Sequence, residues 1–384
     1  MPWKEWNQME ERKRFINQVM ESQESFSVIC ASFGISRKTG YKWMQRFATE
    51  GYAGLWDHSR RPHNTPAQLS ETLICELIKL KLAHPLWGPK KIRELYCRVH
   101  ELQGPSVSSV NRIFRKAGLV KRRKTRSKHT GRMTTQLQIQ APNDVWTVDF
   151  KGWWRTYSKE RFEPLTVRDE YSRYLLEARS LPDTSADSVK QVFINLFKTY
   201  GLPKVIHSDN GTPFAARSNV LGISKLSAWL LTLGIYIHHS RPGHPQDNSG
   251  HERMHKDLKE SVQVRYRGDA KLYQAELDLW REEFNTVRPH EALKMKTPAE
   301  CYQPSGRKYR PGVYQPDYPS NYQVRKVGHN GAIKVSGNYY FITTALCSYL
   351  LGLKVVGSTE MAIYFGTLLL GNINLETVSF SPVE

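Results

Sequence analysis

Three acidic residues, Asp149, Asp209 and Glu252, lie at points of the sequence where a fold would expose a side chain. Asp149 belongs to the strand-like run WTVDF. Asp209 follows the run VIHS, which is typical of a short buried strand, and precedes an Asn-Gly pair that favours a tight turn. Side chains at the carboxyl ends of strands in α/β sheets line the crevice in which ligands bind. Glu252 opens a helical run, GHERMHKDLK.

Carboxylates at such positions are suited to holding Mg²⁺, which prefers oxygen ligands and uses few side chains beside water and substrate phosphates. Two such ions about 4 Å apart can hold the attacking and leaving oxygens of an in-line phosphoryl transfer. Three carboxylates on separate elements provide enough ligands. We therefore expect two Mg²⁺ ions per site, with Mn²⁺ as a substitute.

The helix that begins near Glu252 has two different faces. An apolar stripe runs along one face through Met254, Leu258 and Val262. The other face carries Glu252, Lys256 and Lys259. One interpretation is a metal ligand beside two lysines that bind DNA phosphates. The alternative is an ordinary ion pair between Glu252 and Lys256, and spacing alone does not decide between them.

Several runs together resemble transposases of bacterial insertion sequences whose core is similar to retroviral integrase. They are PNDVWTVDF, VIHSDNGTPF, HHSRPGHPQDNSGHERMHKDLK and FNTVRPHEALKMKTPAECY. The resemblance implies a ribonuclease-H-like core with a DDE triad made of Asp149, Asp209 and Glu252. The gaps between these acids are 59 and 42 residues. Many relatives have a second gap nearer 35, so we expect the extra residues in a loop around 215–225.

The charge of the chain is asymmetric. Net charge is +20 over 384 residues. Residues 1–132 contain 26 Lys and Arg against 11 Asp and Glu, whereas residues 133–384 contain 30 against 25. A basic front part attached to a nearly balanced back part predicts a region that binds nucleic acid joined to an enzymatic or partner-binding region.

The front part predicts two DNA-binding units. Residues 1–55 contain helix, Gly turn and helix, with Ser36 as N-cap and Tyr41, Met44 and Phe47 as the buried edge of the second helix. The DNA-binding candidates here are Arg37, Lys38, Lys42 and Arg46. The alternative is a small helical bundle with a solvated basic face.

A polar, proline-containing linker is predicted at 56–66, followed by a second helix-turn-helix unit at 67–120 with Arg112 and Arg115 as DNA-binding candidates. Residues 121–132 then hold seven basic residues in twelve. We predict a basic arm at 121–135 that follows phosphates, although a solvated tail is the alternative. Its DNA-binding candidates are Lys121, Arg122, Arg123 and Lys124.

The back part predicts two further domains. Residues 136–305 alternate strands and helices after an initial hairpin, which indicates an α/β ribonuclease-H-like core with a mixed sheet. Residues 306–384 hold short strands broken by Asn-Gly and Gly-Asn turns, which predicts a small all-β barrel. The predicted fold class is therefore multidomain: all-α helix-turn-helix units, an α/β core and a β barrel.

Other acids compete for the metal. Asp247 suits a turn or a helix cap, and Asp169 suits turn hydrogen bonds in a hairpin. The five cysteines form no CxxC pair, so we expect no structural zinc and a reducing bacterial cytoplasm, in association with the nucleoid. No apolar run reaches the roughly 18 residues that span a bilayer, and the first residues lack an apolar signal-peptide segment.

Two functions follow as hypotheses. The first is an active transposase that binds the terminal inverted repeats of its element, cleaves double-stranded DNA at the ends and joins the 3′-OH to target DNA. Because both ends must be held together, a homodimer or larger assembly is expected. The second is a catalytically decayed transposase that acts as a DNA-binding regulator. The presence of all three acids favours the first, and two DNA-reading units disfavour a nonspecific nuclease.

Overall fold

The computed structural model describes residues 7–59, 69–120, 137–216, 221–241, 249–264, 267–312 and 314–383. The chain divides into two compact units, residues 1–69 and 70–384. Within the described residues, no helix is both long enough and apolar enough to span a membrane.

The first unit is a helix-turn-helix. Its helices are α1 (Gln8–Glu21), α2 (Phe26–Ser32) and α3 (Arg37–Glu50). Gly34 has a φ of +64°, which permits the turn, and the hydroxyl of Ser36 accepts a hydrogen bond from the Thr39 amide at 3.2 Å. The predicted turn and cap are therefore confirmed.

The predicted buried edge of α3 is confirmed for Met44 and Phe47, which pack partly buried against the core, and is wrong for Tyr41. Tyr41 is 62% exposed, and the buried side is formed by Gly40 and Trp43. A Cβ atom at Gly40 would lie 2.6 Å from the sulfur of Cys30, so α3 can approach α2 closely only because this residue is glycine. Trp43, which is 8% exposed, enters the core in place of Tyr41.

The second unit begins with three helices: α4 (Glu71–Ala83), α5 (Pro89–His100) and α6 (Val107–Lys116). Ser70 caps α4 by accepting the Leu73 amide, and Pro89 occupies the first turn of α5, where its missing N–H costs nothing. Their shared core is formed by Leu77, Trp87, Ile92, Leu95, Tyr96, Val110 and Phe114.

The central sheet is mixed, as predicted. Its main strands are β1 (Val145–Phe150), β4 (Pro164–Asp169), β5 (Leu175–Ser180), β6 (Val205–Ser208) and β7 (Tyr236–His239). They are ordered β5-β4-β1-β6-β7, with β5, β4 and β1 antiparallel and β1, β6 and β7 parallel. A short separate hairpin joins β2 (Trp154–Arg155) to β3 (Arg161–Phe162).

Helices cover both faces of this sheet. The helices α7 (Ala186–Tyr200) and α8 (Lys225–Thr232) pack on the face that carries Trp146, Val148 and Ile206. The opposite face is covered by α9 (Ser249–Leu258), a π-helical turn (Lys259–Gln263) and α10 (Ala270–Thr286). We call these the α7 face and the α9 face.

The C-terminal strands do not form the predicted closed barrel. The strands β8 (Gln323–Lys326), β11 (Leu350–Val355), β12 (Glu360–Phe365), β13 (Leu368–Asn374) and β14 (Ser379–Pro382) form an antiparallel sheet ordered β14-β13-β12-β11-β8. The strands β9 (Ala332–Val335) and β10 (Asn338–Phe341) form a separate hairpin. Because β8 and β14 are both sheet edges, the sheet is open, and one shared apolar core joins it to the hairpin.

Candidate active site

One aspartate of the predicted triad lies on β1, and the other directly follows the neighbouring parallel strand β6. The register of β1 and β6 pairs Val145 with Val205 and Thr147 with His207. Continuing this register by two residues brings Asp149 level with Asp209. Adjacent strands are about 4.8 Å apart, so the backbone alone places these two positions side by side at one edge of the sheet.

Side-chain alternation along β1 turns Asp149 toward α9. In β1, Trp146 and Val148 enter the core on the α7 face, as Ile206 does in β6. The alternate residues of β1, which include Asp149, therefore face the other side. The contact that Asp149 makes with α9, described below, agrees with this orientation.

The Asn-Gly turn shapes the surroundings of Asp209. The amide of Gly211 donates a hydrogen bond to Oδ1 of Asp209 at 3.0 Å, and a Cβ atom at Gly211 would lie 3.0 Å from Oδ2. The Asn210 side chain donates to the Ser240 carbonyl at 2.6 Å, which ties the turn to the end of β7. Asp209 itself is exposed, so its carboxylate is open to a ligand.

Glu252 lies on the exposed side of α9. The predicted apolar stripe is confirmed, since Met254, Leu258 and Val262 are 2%, 0% and 3% exposed. The stripe packs in a core that also contains Leu175 and Ala178 of β5. The predicted polar face is exposed as expected, with Glu252, Lys256 and Lys259 all accessible to solvent.

His255 joins α9 to the sheet beside Asp149. Its Nδ1 lies 3.7 Å from Oδ2 of Asp149, and its Nε2 is 2.8 Å from the hydroxyl of Thr166. That hydroxyl donates to the main-chain carbonyl of Asp149 at 3.0 Å. Burial, followed by the charges of Lys151 and Arg168, lowers the pKa of His255 to about 3. The ring is therefore neutral at pH 7, and the 3.7 Å approach of Nδ1 to Asp149 is neither an ion pair nor a hydrogen bond.

A buried polar layer continues from His255 toward the start of α9. His251 is fully buried, and burial and the nearby Arg168 charge lower its pKa. Arg168 is 2% exposed and pairs with Glu170. Its guanidinium lies so close to Gly250 that a Cβ there would be 2.2 Å from Nη2. Sequence analysis missed this layer, although the spacing of His251 and His255 by four residues was a signal of one helix face.

Lys151 is another residue near the site that sequence analysis missed. Its pKa is lowered by burial and by the positive charge of Lys259, while the charge of Asp149 acts in the opposite direction. The end of β1 and the end of α9 thus come within electrostatic range of each other. Along an extended chain, a lysine two residues after an aspartate points to the same side as the aspartate. This spacing is the only sequence signal that Lys151 lies near Asp149.

The chemistry of the donors fits a divalent cation. Carboxylate oxygens at exposed strand ends are the ligands that Mg²⁺ prefers. Asp149 keeps 21% of its side chain exposed and Asp209 is more open. Among the described residues, however, no three His, Cys, Asp or Glu side chains are close enough together to hold a metal ion. Glu252 is exposed on α9, and α9 reaches the sheet beside Asp149 through His255, one helical turn after Glu252.

The other predicted DNA-binding residues fall into two groups. Those on α3 and α6 are on the surface: Arg37, Lys38, Lys42, Arg112 and Arg115 are exposed, and Arg46 is half-buried beside Trp43. The predicted basic arm, with Lys121, Arg122, Arg123 and Lys124, lies outside the described residues, as does the competing acid Asp247.

Asp169 makes turn hydrogen bonds, as predicted. Its Oδ2 accepts the amide and hydroxyl of Ser172 at 2.8 and 2.6 Å, and its Oδ1 accepts the Asn143 amide at 2.7 Å. Burial raises its pKa against the effect of these hydrogen bonds. All of its contacts are structural, and the side chain is fully buried, so it is not open to a metal ion.

This architecture, an α/β core behind helix-turn-helix units, agrees with the family models that the sequence matches. Models of an integrase core domain match residues 139–245 and 233–298. A helix-turn-helix domain model matches residues 11–63, and a homeodomain-like domain model matches residues 39–114. The chain therefore carries an integrase core preceded by helix-turn-helix DNA-binding domains.

Particular relatives are insertion-element proteins. An uncharacterized 39.2 kDa protein of insertion element IS476 from Xanthomonas euvesicatoria is 26% identical, covering 65% of this chain and 69% of the relative. An uncharacterized 31.7 kDa protein of insertion element IS407 from Burkholderia multivorans is 26% identical, covering 61% of this chain and 82% of the relative. The predicted resemblance to insertion-sequence proteins with an integrase core is confirmed.

Viral proteins are also similar over the core. The Gag-Pol polyprotein of Bovine immunodeficiency virus is 30% identical over 44% of this chain and 10% of the polyprotein. The solved catalytic core domain of BIV integrase is 24% identical, covers 42% of this chain and 93% of that chain, and superposes with a TM-score of 0.32. At this TM-score the superposition adds nothing to the family models.

Proposed function

We propose that the chain is a transposase that cuts DNA at the ends of its element and joins the 3′-OH to target DNA. The reaction is in-line phosphoryl transfer at Asp149, Asp209 and Glu252. The observation that supports it most is the parallel pairing of β1 with β6, since Asp149 lies in β1 and Asp209 directly follows β6. In this proposal, α9 would supply Glu252 as the third carboxylate.

The three carboxylates have distinct supports in this proposal. Asp149 in β1 and Asp209 directly after β6 are the residues that would hold bound Mg²⁺. Glu252 would complete the ligand set from the helix. When bound, two divalent cations would neutralise charge on the attacking and leaving oxygens. Lys151, Lys256 and Lys259 would attract the phosphates of the DNA strands to this edge.

DNA recognition belongs to the helical units in this proposal. The exposed basic residues of α3 and α6 would contact the terminal inverted repeats, in the way that recognition helices enter the major groove. The basic arm, residues 121–135, would follow the phosphate backbone of the DNA next to the terminal inverted repeats. Because the two ends of an element must react together, we propose that the active form is a dimer or a larger assembly on DNA.

The test is a strand-joining assay with supercoiled plasmid, candidate terminal-repeat duplexes and Mg²⁺ or Mn²⁺. Asp209→Asn keeps the size of the side chain and removes its charge. We expect this variant to lose joined products and to bind the duplexes as wild type does. The matched control is Asp187→Asn, which changes an exposed acid in the first turn of α7. Equal joining by Asp209→Asn and wild type would contradict the assignment.

A regulator without catalysis is the alternative that the spread of the three acids leaves open. Among the described residues they do not form a preassembled metal site. If wild type binds terminal-repeat duplexes tightly but yields no joined product with either metal, the regulator becomes the better conclusion. Metal-dependent joining that disappears in Asp209→Asn excludes it.

A further inference from the structure

Ile223 is part of the hydrophobic core of the C-terminal domain, although it lies between β6 and α8 in the chain. It is 8% exposed and shares one buried cluster with residues of the C-terminal strands and of the short helical turn Thr344–Leu346. Ala228 of α8 is completely buried in the same cluster, and Leu221 and Leu231 pack against it. The α/β domain therefore contributes side chains to the core of the domain that follows it.

The helix α8 lies between the central sheet and the C-terminal domain. Its sheet side packs in the cluster on the α7 face through Leu226, Trp229 and Leu230. At the end of α8, the carbonyls of Leu233 and Gly234 accept hydrogen bonds of 3.1 and 2.8 Å from the guanidinium of Arg307, in the segment that leads to the C-terminal sheet. A displacement of the C-terminal domain would therefore act directly on α8.

The turn that carries Asp209 is the other end of this connection. The amide of Gly211 donates to the Asp209 carboxylate at 3.0 Å, and the Gly211 carbonyl accepts the amides of Phe214 and Ala215, each at 3.1 Å. Phe214 is 1% exposed and packs in the cluster on the α7 face. The Asn-Gly turn and residues 214–215 thus form one hydrogen-bonded unit.

Two serines at the start of α8 join this unit to Ile223. The hydroxyls of Ser224 and Ser227 both donate to the Phe214 carbonyl, at 3.2 and 2.8 Å. Ala215 and Ile223 also form an antiparallel bridge. A continuous series of hydrogen bonds and packed side chains therefore connects the C-terminal core to the turn at the catalytic edge.

We propose that Ile223 is a positioning residue for Asp209. Its packing in the C-terminal core holds the Asn-Gly turn, and with it the carboxylate, at the edge of the sheet. Because protein interiors are densely packed, a shift of one buried side chain is passed on to its neighbours. The connection itself is a property of the structure, whereas its role in metal binding and strand joining rests on the proposed function.

This proposal gives a role to the segment around 215–225, where we expected the extra residues of the 42-residue gap between Asp209 and Glu252. Ile223 reaches the C-terminal core, and the next residue, Ser224, begins α8 by accepting the Ser227 amide at 3.1 Å. The chain thus leaves the catalytic edge, contacts the C-terminal domain and returns to the α/β domain. A change in how the C-terminal domain packs would thereby reach the metal site.

The first experiment is hydrogen exchange of the full chain, measured by mass spectrometry without DNA or metal. Ile223→Ala should speed exchange of residues 209–216 several-fold, because their amides lose fixed acceptors. Ile223→Val, which keeps a branched side chain, should stay near wild type. The matched control is Ile373→Ala, at a completely buried residue of β13 in the same cluster. It should speed exchange in the C-terminal sheet and leave residues 209–216 unchanged.

Two results of this experiment would overturn the proposal. In the first, residues 209–216 exchange equally in Ile223→Ala and in wild type, so no connection exists. In the second, Ile223→Ala and Ile373→Ala speed their exchange equally, so the effect is a general loss of stability. Thermal unfolding checks that each variant folds.

The second experiment interrupts the connection at the next step. Ser227→Ala removes the 2.8 Å hydrogen bond to the Phe214 carbonyl and leaves the C-terminal core intact. It should speed exchange of residues 209–216 without changing that of the C-terminal sheet, and it decides the question if Ile223→Ala does not fold. The control is Thr232→Val, which removes a hydroxyl bond to the Trp229 carbonyl in the same helix. Unchanged exchange of residues 209–216 in Ser227→Ala contradicts the proposal.

Strand joining tests the positioning role separately. At saturating DNA, Ile223→Ala should need several-fold more Mn²⁺ for half-maximal joining, Ile223→Val should restore most of the wild-type requirement, and Ile373→Ala should keep it. A loss of folded protein alone lowers the amount of product but leaves the metal requirement unchanged, and that result rejects the positioning role. Faster exchange of residues 209–216 in a protein whose wild type joins no DNA keeps the connection and rejects the catalytic proposal.

Discussion

The two sides of the candidate site are held in place by different forces. On the sheet side, Asp149 lies in β1 and Asp209 directly follows β6, and these two strands are joined by a hydrogen-bonded parallel register. On the helix side, Glu252 depends on how α9 packs. That packing uses the apolar stripe over β5 and a polar layer that includes the contact of His255 with Thr166 beside Asp149.

This difference indicates where the site can change shape. Paired strands cannot shift by less than a residue without losing their backbone hydrogen bonds. A helix held by side-chain contacts can slide or tilt at a smaller cost in free energy. The π-helical turn at Lys259–Gln263 directly after α9 also interrupts the regular ladder of the helix. We therefore expect the sheet side to be preformed and the helix side to complete its geometry when DNA and metal bind.

The largest expected effect comes from removing the charge on the helix side. Glu252→Gln should lower the rate of strand joining by on the order of a thousand-fold, since an electrostatic partner of the transition state is lost. Duplex affinity should stay close to that of wild type. Glu260→Gln, an exposed acid two helical turns later, is the control. Similar rates for both variants would remove Glu252 from the site.

Loss of packing under α9 should come next. Leu258 is completely buried in the apolar stripe, so Leu258→Ala should lower the free energy of unfolding by about 2–5 kcal/mol. Urea unfolding followed by circular dichroism measures it. Hydrogen exchange should show the loss concentrated in α9, with β1 and β6 less affected. A uniform loss over both sides would mean that the sheet and the helix unfold together.

Sequence patterns predicted the sheet side well because it depends on local signals. The run VIHSDNG contains strand, acid and turn in order, and the structure has that arrangement. The pairing of β1 with β6 joins residues 60 positions apart, and no local pattern contains it. The apolar stripe of α9 was also predicted from spacing, but the polar layer of His251 and Arg168 was not, because buried polar residues look like surface residues in a pattern.

The errors elsewhere have equally specific causes. On α3 the stripe was assigned to Tyr41 because Gly40 carries no apolar signal, although its lack of a side chain is what brings α3 against α2. In the C-terminal domain, the turns correctly marked the ends of strands. Turn residues do not say whether the first and last strands of a sheet pair with each other, and here they remain edges.

A smaller effect should follow from removing the contact that His255 of α9 makes with the sheet. His255→Phe fills a similar volume but removes the contacts with Asp149 and Thr166. Residues that orient metal ligands typically change metal affinity or activity by about 10–100-fold when substituted. We expect the Mn²⁺ concentration needed for half-maximal joining to rise by a factor in this range. Thr166→Val should act in the same direction, and the double variant should be less than additive.

If the metal requirement of His255→Phe is unchanged while its thermal stability falls, His255 has only a packing role. If the metal requirement and the thermal stability of His255→Phe both change, comparison with Leu258→Ala separates loss of packing from loss of the polar contact. Leu258→Ala weakens the docking of α9 without touching Asp149, so its metal requirement at saturating DNA should be nearer to that of wild type.

The last effect, which is absent at neutral pH, is an acid sensitivity that belongs to the helix side. His290 packs against Phe284 of α10, and burial lowers its pKa to about 2 in the folded chain, whereas an unfolded histidine titrates near 6.5. Between these values only the unfolded chain binds the proton. Above pH 6.5 the protonation of His290 therefore does not affect the free energy of unfolding. Below pH 6.5 it lowers that free energy by about 1.4 kcal/mol for each pH unit.

His290→Asn should make the pH dependence of unfolding shallower by up to one proton between pH 6.5 and 4.5, measured by urea unfolding at each pH. The exposed residue His329 is the control, and His329→Asn should leave the slope unchanged. Protection factors from hydrogen exchange should fall in α9 and α10 before they fall in β1 and β6, since His251 and His255 have lowered pKa values on the same side. Acid that loosens β1 and β6 first would reverse the assignment of the sheet as the preformed side.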